Sequence, residues 1–133
     1  MENKELTGVL VDINTNEIKE VTVIDTLNNL RKLINCHTID IISRAMDEKV
    51  YTVVCDDEAL LMSPVPRASL FNSMNKAEIF GNAFICQTDD EGELISLNKD
   101  EIAHIMSHIF TGTLIDHEDG NKQTTGINFL RVN

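Results

Sequence analysis

Basic residues are few: 11 Lys and Arg stand against 22 Asp and Glu in a chain of 133, for a formal net charge of −11. Phosphate contacts need clustered Lys and Arg, so direct binding to nucleic acid or to an anionic membrane is not expected. The three cysteines, 36, 55 and 86, form no CxxC pair and are odd in number. That excludes a disulfide framework and a zinc ribbon and predicts reduced, mostly buried thiols. No apolar run approaches the length of a membrane span, and Leu6 to Val11 sit behind Glu2 and Glu5, unlike a secretory leader. A soluble, cytoplasmic protein is the expectation. Gly-rich phosphate loops, the GxSxG elbow and the HExxH pair are missing, as are internal repeats and low-complexity segments. Cys55 adjoins acids that raise a thiol's pKa, and Cys36 and His37, as strand neighbours, would point to opposite faces. The reading is therefore of a protein that is not an enzyme and uses no cofactor.

What is present describes one ordinary domain over 1–133, with 42% apolar residues to build its core. The segment "LTGVLVDINTNEIKEVTVI" predicts a hairpin turning at Asn14-Thr15-Asn16. Asp25 or Thr26 caps a helix whose face is Leu27, Leu30, Leu33 and Ile34, with Asn35 as its stop. "TIDIISRAM" and "VYTVVC" flank Met46-Asp47-Glu48-Lys49 as a second hairpin, and "NAFICQ" and "LISL" flank the turn at Gly92 as a third. Both faces of "AFIC" are apolar, which suits a central strand. In "SLNKDEIAHIMSHIFTG" Asn98 and Glu101 form a capping box and Leu97 staples onto Ile102. A helix is predicted to run from there along Ile102, Ile105, Met106, Ile109 and Phe110 to Gly112. "TLID" and "TGINFLRV" make a last strand pair about His117 to Gln123. The fold class is α+β, a mostly antiparallel sheet of hairpins backed by two helices.

Charge is spread unevenly. From Gln87 to Gly120 nine acids face one base, Lys99, a local balance of −8. Such a face solubilises a domain, or it imitates a polyanion for a basic partner. Glu101, His104 and His108 fall at i, i+3 and i+7 on the predicted helix. Two imidazoles four residues apart can share a metal, but this stripe is read here as a solvated or partner-facing surface and no metal is assigned. The acids Asp56-Asp57-Glu58 and Asp89-Asp90-Glu91 each follow a strand and would converge on a cation only if their strands brought them together; decorated turns are the plainer reading. Pro64 and Pro66 stiffen the connection to Arg67, one of four arginines. Arg67 is expected to pin this loop to Asp56, Asp57 or Glu58, and alternatively to grip a small anion.

The early hairpin, "CDDEALL" followed by "PVPRA", then "GNAFIC", then "DDEGEL" leading to "SLNKDEI", resembles an uncharacterised phage and mobile-element family, the domain of unknown function three-eight-four-six. The resemblance covers about residues 6–110 and leaves 111–133 as an additional C-terminal hairpin; Ala59 stands where a glycine is expected. It implies a small binding protein of the host-cell cytoplasm. The function expected from it is inhibition of a host protein, such as a nucleic-acid-binding anti-phage defence factor, through Asp89, Asp90, Glu91, Glu93, Glu101, His104 and His108. The alternative is a sponge for a nucleotide or other small anionic signal held by Arg67 with Asp56 and Asp57. A homo-oligomer would be needed to gather enough arginines for it. A metal-dependent enzyme built on the two histidines is the third reading.

Overall fold

The computed structural model describes residues 4–116 and 122–133. Two sheets form it. The larger is built on β1 (Glu5–Asp12), β2 (Glu17–Ile24), β3 (Ile39–Met46), β4 (Lys49–Asp56) and β7 (Ala83–Thr88), in the order β2-β1-β7-β4-β3, with the short β8 (Leu94–Ile95) against β7. The smaller has the order β6-β5-β10-β9, from β5 (Ala68–Phe71), β6 (Ala77–Phe80), β9 (Ile109–Asp116) and β10 (Lys122–Arg131). Every pairing is antiparallel except β5 with β10.

Strand alternation sorts the core into two layers. Val9, Val11, Tyr51, Val53, Ala83 and Ile85 point to one face of the larger sheet and pack on Leu70, Ile79 and Leu130 of the smaller sheet and on Ile105. Leu6, Leu10, Val54, Phe84 and Cys86 point to the other face and pack on Leu30 and Ile34 of helix α1 (Leu27–Ile34). "AFIC" is thus the central strand, buried on both faces as its composition requires. Gly8 of β1 lies so close to β7 that a Cβ would come 2.2 Å from the Ile85 carbonyl oxygen and 2.8 Å from the Phe84 ring.

The three expected hairpins are present. Thr26 caps α1 through Asn29 N–H, and Asn35 ends it in the left-handed region at φ 56°. Leu27 departs from the expected apolar face: at the first helical position it is 51% exposed. Helix α2 (Lys99–Met106) carries the expected capping box, but it stops at Met106 rather than running to Gly112. Ile109, Phe110 and Gly112 belong to β9, where Gly112 pairs with Ile127. The apolar spacing of 102–110 fits a helix, but a β-branched and aromatic segment such as Ile109-Phe110-Thr111 is equally content in a strand, and the long β10 partner decides between them. The β5–β6 hairpin, closed by Asn72 accepting from Met74 and Lys76 N–H, was not anticipated because each strand has only four residues.

The C-terminal strands are not an appendage. β10 pairs with both β5 and β9, and Phe129, Leu130 and Val132 are buried. Asn128 N–H donates to Asn16 Oδ1, so β10 also holds the turn of the first hairpin. The turn expected at His117 to Gln123 falls largely outside the described residues.

Candidate functional site

Two regions at opposite ends of the larger sheet hold the residues singled out above. Because β4 and β7 run antiparallel, with Thr52 beside Cys86 and Cys55 beside Ala83, the acids that follow each strand emerge at opposite ends. Eight residues of β4 separate them by roughly 23 Å. The cation site that would have joined Asp56-Asp57-Glu58 to Asp89-Asp90-Glu91 does not form.

At one end the β3–β4 turn meets α2. Asp47, at φ 57°, has its N–H accepted by the Asn133 side chain (2.9 Å) and its carbonyl approached by the same amide (2.6 Å). Its carboxylate Oδ2 lies 2.6 Å from His104 Nε2 and 3.2 Å from His108 Nε2. The hydrogen bond from His104, then the nearby His108, holds the Asp47 carboxyl below its usual range. His104 Nδ1 meets the hydroxyl of Tyr51 at 2.7 Å. Burial raises the Tyr51 pKa, and the charges of Glu101 and Asp47 add to that.

Glu101 is not on the histidine surface. It is 8% exposed and turned toward the β4–β7 edge. Its Oε1 accepts Asn98 N–H (3.0 Å), and its Oε2 accepts from Gln87 Nε2 (2.9 Å) and pairs with Lys49 Nζ (3.1 Å). Burial alone would raise its pKa, but the bonds from Asn98, Lys49 and Gln87 outweigh that and the net shift is downward. Glu101 is thus a tie between α2 and the sheet, which corrects its expected place on a contact face. In the neighbouring turn Asp89 Oδ1 accepts the N–H groups of Glu91 and Glu93, and Asp90, Glu91 and Glu93 are exposed.

At the other end, Asp56 Oδ1 caps its own turn through Glu58 N–H, and Asp57 and Glu58 face solvent. A single 3-10 turn, Ala59–Leu61, follows and buries Ala59 only. Leu60, Leu61, Met62 and Val65 are 65%, 82%, 50% and 47% exposed. A cavity of about 360 Å³ opens beside them, lined by Asn35, Cys36, His37, Asp56, Glu58, Leu61 and Met62. Arg67 does not reach the acids: its Nη2 donates to the Ile13 carbonyl, and its Nε is buried with no partner among the described residues. The loop is therefore fixed to the β1–β2 turn and not to its own carboxylates. Desolvation lowers the Arg67 pKa. Burial, more than neighbouring acids, holds the Cys36 and Cys55 thiols near 11, and burial holds Cys86 near 12.

The sequence profile of a domain of unknown function (DUF3846) matches residues 6–110. The chain belongs to the DUF3846 family. No curated protein and no solved structure matches it. The DUF3846 match ends two residues into β9, before the strand that closes the smaller sheet. Among the described residues no helix is long and apolar enough to cross a membrane. Asp47 and Tyr51 are the site residues that sequence reasoning passed over. The only tyrosine in the chain, on a strand face otherwise apolar, was the available signal, because a buried phenol needs a hydrogen-bond partner.

Proposed function

We propose that this DUF3846 protein is a non-enzymatic binding protein whose contact element is the loop from Asp56 to Pro66, and that its partner is a protein offering an apolar groove rimmed by Lys and Arg. One observation carries this reading. Four of the eight large apolar side chains exposed among the described residues fall within Leu60 to Val65. Exposed apolar side chains gathered at one spot mark interaction sites, whereas scattered ones need no explanation. Asp57 and Glu58 border them, and Arg67, the single base between residues 50 and 75, is turned inward. The electrostatic complement is a basic rim. Inhibition of a host factor is the form in which such binding would act.

This shifts the contact surface from the acidic 87–120 region, where Glu101 is buried and Asp89 is engaged in its own turn. An anion sponge centred on Arg67 finds less support, since Arg67 donates to the Ile13 carbonyl and the cavity beside Leu61 and Met62 is lined by Asp56 and Glu58. The test is binding of the full chain to a panel of cationic amphipathic peptides, with charge-reversed peptides as controls. L60S/L61S and D57K/E58K should each weaken binding about 10-fold, as expected when part of a hydrophobic anchor or its charged rim is removed. Binding that survives both but is lost in D90K/E91K/E93K would return the surface to the acidic turn and sink the loop reading.

A further inference from the structure

Asp47, His104 and His108 each offer a metal-ligand atom, and these atoms lie within 4.8 Å of one another. We propose that they form a site for a first-row divalent transition ion, with Zn²⁺ the best match to two imidazoles and one carboxylate. The site lies at the end of the sheet opposite the Asp56–Pro66 loop and is independent of the function assigned to that loop.

The hydrogen bonds around His108 carry the argument. Its Nδ1 faces the His104 carbonyl oxygen at 2.9 Å and Ser107 Oγ at 3.1 Å. Ser107 donates its only hydroxyl proton to that same carbonyl, at 2.6 Å, so both neighbours of Nδ1 are acceptors. In the neutral imidazole Nδ1 therefore bears the ring proton, and Nε2 then presents a lone pair to Asp47 Oδ2 at 3.2 Å. Two electron-rich atoms so placed need a positive centre between them, and a metal ion there takes the place of the second ring proton that would otherwise bridge them. A metal-bound imidazole that donates its other N–H to a backbone carbonyl is the usual supporting arrangement.

His104 is equipped for the same role. Tyr51 hydroxyl can donate to Nδ1 while Nε2–H donates to Asp47; it can equally accept from Nδ1–H, which frees the Nε2 lone pair for an ion. Ligand atoms about 2.0–2.1 Å from a tetrahedral ion stand roughly 3.3 Å apart. The His108–Asp47 separation already fits, and the 2.6 Å His104–Asp47 pair opens by a small rotation of a carboxylate that is 64% exposed. That exposure also leaves a coordination position for solvent. Asn133 fixes the Asp47 backbone from both sides, so the third ligand is held in place before any ion arrives. A lone carboxylate is too few oxygen ligands for Ca²⁺ or Mg²⁺.

The full chain, stripped with chelator, should be titrated with Zn²⁺ by calorimetry and with Co²⁺ by visible absorption at neutral pH. The expected result is one ion per chain with a Co²⁺ spectrum of nitrogen and oxygen ligation. D47N, on an exposed side chain whose backbone bonds are retained, should bind at least about 10-fold more weakly, and H108A more weakly still. Y51F keeps all three ligands and should lose about 10- to 100-fold through His104 alone. No uptake by the unaltered chain would overturn the proposal. So would uptake unchanged in both D47N and H108A, or a thiolate charge-transfer band, which would put the ion on Cys36.

Discussion

Replacing Glu101 separates a structural tie from a contact residue. Glu101→Ala removes three interactions from a side chain that is 9% exposed: the Asn98 N–H cap, the Gln87 amide and the Lys49 ammonium. The capping component is worth about 1 kcal/mol. The amide bond to a charged acceptor adds about 1 kcal/mol once water at half-buried Gln87 is allowed for. Lys49 is 48% exposed, so its ion pair is discounted to at most about 1 kcal/mol. The loss is then about 3 kcal/mol, or a fall of about 10 °C in Tm for a domain of this size. Glu101→Gln keeps the Asn98 cap and should cost about 2 kcal/mol, because its amide nitrogen would face the donors of Gln87 and Lys49. Urea and thermal unfolding followed by circular dichroism measure both. The pH dependence supplies a second reading. Since the folded-state pKa lies below the ordinary 4.5, Glu101 contributes stability that is fully present above that value and lost as pH falls through it toward the folded value. Glu101→Gln should lack this component. A Tm within about 1 °C of the unaltered chain for Glu101→Ala would refute the reasoning.

Gly8→Ala should destabilise by about 3 kcal/mol or more, because the obstacle at 2.2 Å is the Ile85 backbone carbonyl; rescue by Phe84→Leu in an unfolding titration would contradict this. Leu130→Ala, at a side chain with no exposure, should cost about 3–4 kcal/mol by the same assay, and a loss under about 1 kcal/mol would mean that β10 is peripheral. Native Cys55 and Cys86 should resist an aromatic disulfide reagent at neutral pH until urea unfolds the chain, with half-buried Cys36 reacting ahead of them; immediate labelling of all three would contradict their raised pKa values.

Local chemistry was enough to specify the elements whose signals lie within a few residues. Asn98 and Glu101 make their capping box with each other, Thr26 and Asn35 bound α1, and the apolar faces of "AFIC" suit only a strand covered on both sides. The caps are short in sequence, so they can be recognised without knowing what packs against them. The end of α2 was different. Ile109 and Phe110 satisfy a helical period and a strand equally, and pairing with Leu130 and Phe129, twenty residues on, chose the strand. Tertiary structure likewise decided every site. Antiparallel pairing of β4 and β7 sent the two acid clusters apart, and the closeness of Ile13 drew Arg67 away from its neighbouring carboxylates. The β3–β4 turn brought Asp47 to a histidine pair whose nearer member is 57 residues away in sequence. Sequence spacing placed His104 and His108 within reach of each other, but their third partner depended on how the sheet was ordered, because a side chain's chemistry is local while its neighbours are set by the whole chain.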